Sequence, residues 1–384
     1  MLTKNISFKN FKVKKNNSKI KRIFSSLIKE KNEVLLSMSK NYKNSFNNKI
    51  INKYKNNYNF RVIGMGGSTL GTQAIYDFLE NKIKKKFSFL DNLQANNERN
   101  EKKKITNLIV SKSGNTIETI VNSNIFIKKN HKNIFITENK NNYLFQLAQK
   151  IKAEIIHHNN YIGGRYSVLS EVGMLPAELM GLKSEKFRQY NSLIKNKNFL
   201  SSLIKNVSST LFFIKNKKFN SIIINYDERS ENLFKWYQQL IAESLGKKKK
   251  GLLPIVSNMP KDNHSVMQLY LDGFKNNFYT FFYVHENKSE KLKNNLLLSE
   301  LKFLKSKNIS NIMYAQKKAT EKVFNTKNIP FRSFEVKKRD EETMGQLFCF
   351  FVLETILLGK ALNIDPYNQP SVELIKKETK KILI

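Results

Sequence analysis

Six short segments gather the residue types that chemistry on a small anion needs. Residues 64–71 read Gly-Met-Gly-Gly-Ser-Thr-Leu-Gly. Such glycines let backbone approach a ligand closely, and the helix start behind them offers free N–H groups to an anion. The segment is not a dinucleotide fingerprint, because Thr69 stands where the third glycine belongs. Residues 111–116, Ser-Lys-Ser-Gly-Asn-Thr, bring hydroxyls and an ammonium to a second strand-to-helix turn, the donors and positive charge that a phosphate wants together. Residues 163–167, Gly-Gly-Arg-Tyr-Ser, deliver Arg165 beside two glycines, which suits an oxyanion. Taken singly, each segment reads equally well as a tight turn, a helix cap or a surface arginine.

Three further segments carry proton-transfer groups. Glu243 lies among apolar neighbours near a helix end, a place for a general base or for a solvated helix carboxylate. Of the five histidines, only His264 sits in a helix-opening loop with an aspartate, Asp262, close by, which makes it the proton-transfer histidine. His157 and His158 are adjacent on a strand and point to opposite faces, so they cannot share a metal; no metal is expected. Glu373 and Lys376 are three apart and share one face of a terminal helix. The lysines at 247–250, framed by Gly246 and Gly251, imitate a P-loop in glycine spacing but run on into Leu252 and Leu253, so the nucleotide reading is rejected.

These segments need strands and helices to hold them. Apolar runs at 60–63, 107–110, 133–137 and 154–157 alternate with helical stretches, and the pattern restarts at 221–226, 278–284 and 331–336. Such alternation predicts mainly parallel sheets covered on both faces, with ligands at the carboxyl ends of the strands. The expected class is α/β with two three-layer α/β/α domains. The boundaries are an N-terminal helical segment 1–55, a first domain 56–195, a second domain 196–340, and C-terminal helices 341–384 packing back on the first domain. The apolar stretch 347–358 is too short to span a bilayer and contains Glu354, so it reads as a buried helix and no membrane is expected.

Composition is consistent with this reading. The chain has 384 residues, a formal net charge of +37, 40% hydrophobic residues and one cysteine, Cys349. There is enough apolar surface for a core, and no internal disulfide is possible. The charge alone raises a nucleic-acid partner. Yet the basic residues are spread along the whole chain among Asn, Ile, Phe and Tyr, all with A/T-rich codons, so genome composition accounts for the balance. The lysines at 84–86, 102–104 and 247–250 then read as solvated loops or helix faces, and no nucleic acid is expected. The N-terminus lacks the apolar segment and cleavage site of a secretory peptide, and the expected location is cytoplasmic.

In order, VIGMGGSTLG, IVSKSGNTIET, GGRYSVLSEVGMLPAELMG, WYQQLIAESLGK, PKDNHSVMQLYLDG and IDPYNQPSVELIKK resemble segments of the glucose-6-phosphate isomerase (phosphoglucose isomerase) family, from about residue 60 onward. The resemblance implies two sugar-isomerase domains. It also implies a cofactor-free interconversion of glucose 6-phosphate and fructose 6-phosphate through a cis-enediol, in glycolysis and gluconeogenesis. By motif, Glu243 would be the base, Arg165 would stabilise the enediolate, and His264 and Lys376 would assist ring opening. Ser111, Lys112, Ser113 and Thr116 would hold the phosphate, while Gly67, Ser68, Gln239 and Gln369 would line the sugar site. Family members are typically homodimers in which the His264 loop would reach the neighbouring active site. The chain departs from the family pattern at Asn115 (usually Thr), Asn263 (usually Gln) and Ser371 (usually Gly), and it is short for the family. The alternative reading is a non-catalytic sugar-phosphate-binding regulator of the same fold.

Overall fold

The computed structural model describes residues 1–13, 16–95, 104–286 and 288–384; Lys102, Lys103 and the side chain of Glu373 lie outside the described residues. Among the described residues, ten strands form two five-stranded sheets. The first runs β3(Lys86–Leu90), β2(Asn59–Ile63), β4(Thr106–Val110), β5(Lys132–Thr137), β6(Glu154–His157), all parallel. The second runs β1(Ile6–Lys9), β10(Phe331–Val336), β9(Asn277–Val284), β7(Asn220–Asn225), β8(Leu253–Asn258), parallel except for β1.

The continuous apolar runs follow from burial of both sheet faces. Val62, Leu108, Val110, Ile134 and Ile136 turn into a large core to which both sheets contribute. Ile63, Ile109 and Phe135, one residue out of step, fill a separate cluster under the outer helices. Likewise Ile223 faces the shared core while Ile222 and Ile224 face the outer one.

Residues 1–55 hold three helices, but also a strand: β1 pairs antiparallel with β10, so the start of the chain is an edge of the second sheet. The asparagines that look like compositional background are put to use. Asn32, Asn47, Asn142, Asn196 and Asn308 each accept backbone N–H groups at a helix start, satisfying donors the helix cannot.

The apolar stretch belongs to helix Glu341–Ala361, which is long and apolar enough to cross a membrane but is buried in the protein. It packs on helices Lys197–Lys215, Glu231–Leu245 and Ser18–Leu27. Its Glu354 meets the Arg332 guanidinium from β10, both 1% exposed. Around that pair, Asn206, Tyr237 and Thr280 supply hydrogen bonds from three other elements. The last helix, Val372–Leu383, is solvated by comparison, with Leu374 and Ile375 mostly exposed.

The lysine runs divide. Lys84 and Lys104 are exposed, but Lys85 donates to Leu179 O (2.6 Å) and Lys86 opens β3. The lysines at 247–250 are not a freely solvated loop: three of their ammoniums bind backbone carbonyls of residues 362–368.

Candidate active site

Arg165 is the centre of the candidate site. It lies in a 3₁₀ turn, Gly164–Leu169, reached by the loop after β6, and is 1% exposed. All five guanidinium N–H positions are matched by acceptors. Nε donates to Ser244 Oγ (2.7 Å), Nη1 to Glu243 Oε1 (3.0 Å) and Gln369 Oε1 (2.7 Å), and Nη2 to the carbonyls of Pro366 (2.7 Å) and Asn368 (3.1 Å). Burying this charge is tolerable only with such full pairing. One residue thereby ties three distant parts of the chain together: the loop after β6, the helix Glu231–Leu245 and the C-terminal segment.

Glu243 is one-fifth exposed and has a second partner, Gln239 Nε2, on its other oxygen (2.9 Å). The pair is four apart on one helix, hence on one face. With its amide nitrogen committed to Glu243, Gln239 leaves its Oε1 buried and without a hydrogen-bond partner among the described residues. An acceptor in that state is suited to a ligand hydroxyl.

The loop after β2 closes this side. Gly66 has φ +53 and its α-carbon faces the Gln239 amide; a Cβ there would sit 2.9 Å from Nε2. Gly67 is packed tighter still, since a Cβ would fall 2.2 Å from the carbonyl carbon of Gly164 and 2.5 Å from Arg165 N. We therefore expect Gly67→Ala to push the two loops apart, costing about 1–3 kcal/mol of stability as overpacking does and displacing Arg165. Gly164→Ala, whose Cβ would meet only Gly67 Cα at 3.9 Å, should keep the wild-type thermal midpoint, and thermal melts of the two variants test the contrast. Ser68 is half-buried in the short turn Gly66–Ser68.

The loop after β4 carries the hydroxyls. Ser111 Oγ and Thr116 Oγ1 are 2.8 Å apart. Thr116 stands at the start of helix Ile117–Phe126 with no side-chain cap bond to it, which leaves the first N–H groups of that helix open. Ser113 is exposed and accepts from Asn115 N (3.3 Å). Asn115, the departure in this loop, is used structurally: its Oδ1 accepts from Tyr143 N (3.1 Å). Gly114 (φ +66) admits Asn142 where any Cβ would collide. The Lys112 ammonium donates to Asn160 O (2.7 Å) and lies 3.5 Å from Glu138, so this charge is directed to the neighbouring loop.

Beneath that loop His158 is buried, its Nδ1 donating to Asn159 O (2.9 Å). Burial pulls its pKa down to about 4 against an opposing bond to Asn159, with Lys112 adding to the fall. The folded value lies below the unfolded one, about 6.5, so the neutral form contributes stability that is present above pH 6.5 and lost as the pH falls toward 4. The expected slope is about 1.4 kcal/mol per pH unit across that window. Urea midpoints of wild type and His158→Gln measure it; the variant should show a flatter profile.

The structure does not bring every candidate together. His264 ends the short 3₁₀ helix Lys261–His264, is exposed, and shows no hydrogen bond to the Arg165 cluster among the described residues. Asp262, expected beside it, is occupied by Asn258 N (2.8 Å) and Ser265 Oγ. Lys376 is exposed on the helix Val372–Leu383. Conversely, residue types and spacing assign no role to Ser244, Lys247 or the carbonyls of Pro366 and Asn368. Ser244 and Lys247 lie inside a quoted motif, but main-chain acceptors leave no trace in residue type.

Comparison with known proteins shows the family of the chain and the fold it shares. The sequence pattern of the family described as Phosphoglucose isomerase matches residues 26–384. A glucose-6-phosphate isomerase of Methanocaldococcus jannaschii is 33% identical over 82% of this chain and 82% of its own length, and one from Campylobacter jejuni is 30% identical over 84% of each. Against these two relatives the chain is not short, the shares covered being equal on both sides. Among solved structures, a hypothetical protein of Thermus thermophilus shares the fold at TM-score 0.81 and 21% identity, covering 96% of this chain and 94% of that one. A glucose-6-phosphate isomerase of Chlamydia trachomatis gives TM-score 0.68 at 17% identity, covering 98% and 76%. With the family pattern running through both sheets and every segment that meets at Arg165, this chain belongs to the phosphoglucose isomerase family.

Proposed function

We propose that the protein interconverts glucose 6-phosphate and fructose 6-phosphate. The observation that carries the reading is a carboxylate, Glu243, held by a fully enclosed guanidinium beside an unpartnered buried acceptor, Gln239 Oε1. A proton-transfer base with a fixed cation next to it is what an enediolate requires. The hydroxyl loop at residues 111–116 opens at the carboxyl edge of the same sheet, where α/β folds hold phosphorylated ligands.

In the open-chain aldose, Glu243 removes the C2 proton while the C1 carbonyl oxygen gains one, giving the cis-enediol. The protonated Glu243 then returns its proton to C1 as the O2 hydroxyl loses one, giving the ketose. Arg165 acts at close range through its charge and by fixing Glu243 and Gln369, because its N–H groups are already occupied. Ser111, Ser113, Thr116 and the main chain around Lys112 hold the phosphate, and Gly67, Ser68, Gln239 and Gln369 line the sugar. No cofactor enters this chemistry.

His264 and Lys376 serve ring opening. The exposed position of His264, outside its own chain's Arg165 cluster, supports a homodimer in which this histidine completes the partner's site. The place of the reaction is the cytoplasm, in glycolysis and gluconeogenesis. The test is a coupled assay of the purified protein on fructose 6-phosphate, reading glucose 6-phosphate formed: turnover supports the proposal, and tight binding without turnover would replace it with a sugar-phosphate sensor.

A further inference from the structure

The lysines at 247–250 remain outside this account, and their bonds give them a place in it. Helix Glu231–Leu245, which carries Glu243, ends at Gly246. The chain then reverses in a tight turn in which Lys250 N donates to Lys247 O (2.9 Å) and Lys248 and Lys249 both take positive φ, 54° and 57°. Such backbone is costly for residues with a Cβ, so the surroundings must hold the turn in place. They do so through its ammoniums. Lys247 Nζ donates to Asp365 O (2.5 Å), Asn368 O (2.7 Å) and Asn368 Oδ1 (3.1 Å), and Lys250 Nζ to Leu362 O (3.0 Å).

The accepting segment follows the carboxyl end of the buried helix Glu341–Ala361, where the dipole favours cations. Asn368 O is shared: it accepts both from Lys247 Nζ and from Arg165 Nη2. Pro366 O accepts from Arg165 and from the Tyr166 hydroxyl (3.0 Å). The next side chain, Gln369, accepts from Arg165 Nη1 through its Oε1. Lys247 and Arg165 therefore grip the same turn, and Arg165 in turn holds Glu243.

We propose that Lys247 is a positioning residue for the isomerase reaction, fixing the turn at residues 365–368 so that Gln369, Arg165 and Glu243 keep their mutual geometry. This rests on the function proposed above. Lys247 sits only partly exposed; burial together with the nearby Arg165 charge lowers its pKa, while its bonds to carbonyl acceptors work in favour of the charged form.

The experiment compares full-length Lys247→Met, Lys247→Gln, Lys247→Arg and Lys249→Met with wild type, reading kcat, KM for fructose 6-phosphate and the thermal midpoint. Lys249 is the control, being exposed at the tip of the turn without a side-chain hydrogen bond among the described residues. Loss of the clamp should lower kcat by roughly 10- to 100-fold, the order of effect a displacement near 1 Å brings. The expected KM stays close to wild type, and Lys247→Arg, which can still donate to two carbonyls, recovers most of the rate. Lys249→Met should match wild type. If Lys247→Met does not fold, Lys247→Gln and Lys247→Arg carry the same comparison. A Lys247→Met or Lys247→Gln enzyme with unchanged kcat, or an equal loss in Lys249→Met, overturns the inference alone. A wild type without turnover, or Glu243→Gln as fast as wild type, overturns the proposed function and this inference with it.

Discussion

Replacing Glu243 by glutamine is expected to lower kcat by about 10²–10⁴-fold, the range a positioned general base contributes. The substitution keeps the size of the side chain and one acceptor for Arg165 Nη1, so the surrounding shell should survive. What it removes is the ability to take a proton from carbon. Because the phosphate loop at residues 111–116 is untouched, KM for fructose 6-phosphate should change little, the pattern of a group acting in the transition state. Exchange of the C2 proton with solvent, followed by NMR in D₂O, offers an independent reading: it should be lost in step with turnover. A Glu243→Gln enzyme with wild-type kcat would show that another group moves the proton.

Truncating Glu354 to alanine should cost about 3–5 kcal/mol, because it leaves the Arg332 guanidinium buried without its counter-charge. That is a large share of the roughly 5–15 kcal/mol by which a folded domain exceeds its unfolded state. The pair is 1% exposed on both sides and is embedded in hydrogen bonds with Asn206, Tyr237 and Thr280, so the guanidinium stays enclosed once the carboxylate is lost. The double change Arg332→Met with Glu354→Leu removes both charges and should recover most of the loss. Denaturant midpoints of the three proteins decide the matter. If the single and double variants are equally unstable, the loss reflects packing and not an abandoned charge.

The strands show where local pattern is a sufficient guide. Every interior strand is visible in the sequence as a short run rich in apolar residues, because each is buried on both faces, although β2 and β10 also bury Arg61 and Arg332. Three of the four sheet edges, β1, β3 and β8, do not stand out as strands in the sequence. They carry lysine, proline and asparagine and are only partly buried, as edges that must not recruit other chains tend to be. β1 in particular has meaning only against β10, more than three hundred residues away.

The site divides along the same line. The glycine turn at residues 64–68, the hydroxyl loop at 111–116, Arg165 and Glu243 were legible because each is a local arrangement of residue types at a strand or helix end, and six such segments in order carry the family resemblance. Local spacing says nothing, however, of what lies opposite. That Arg165 meets Glu243 seventy-eight residues on and Gln369 two hundred and four residues on, that Lys112 turns toward Asn160, and that the Lys247 ammonium closes on carbonyls of residues 365 and 368 were all decided by the tertiary structure. The physical reason is desolvation. A buried charge must find its full set of acceptors wherever the packed chain supplies them, and some of those acceptors, such as the carbonyls of Pro366 and Asn368, are backbone groups, which every residue carries and no sequence marks.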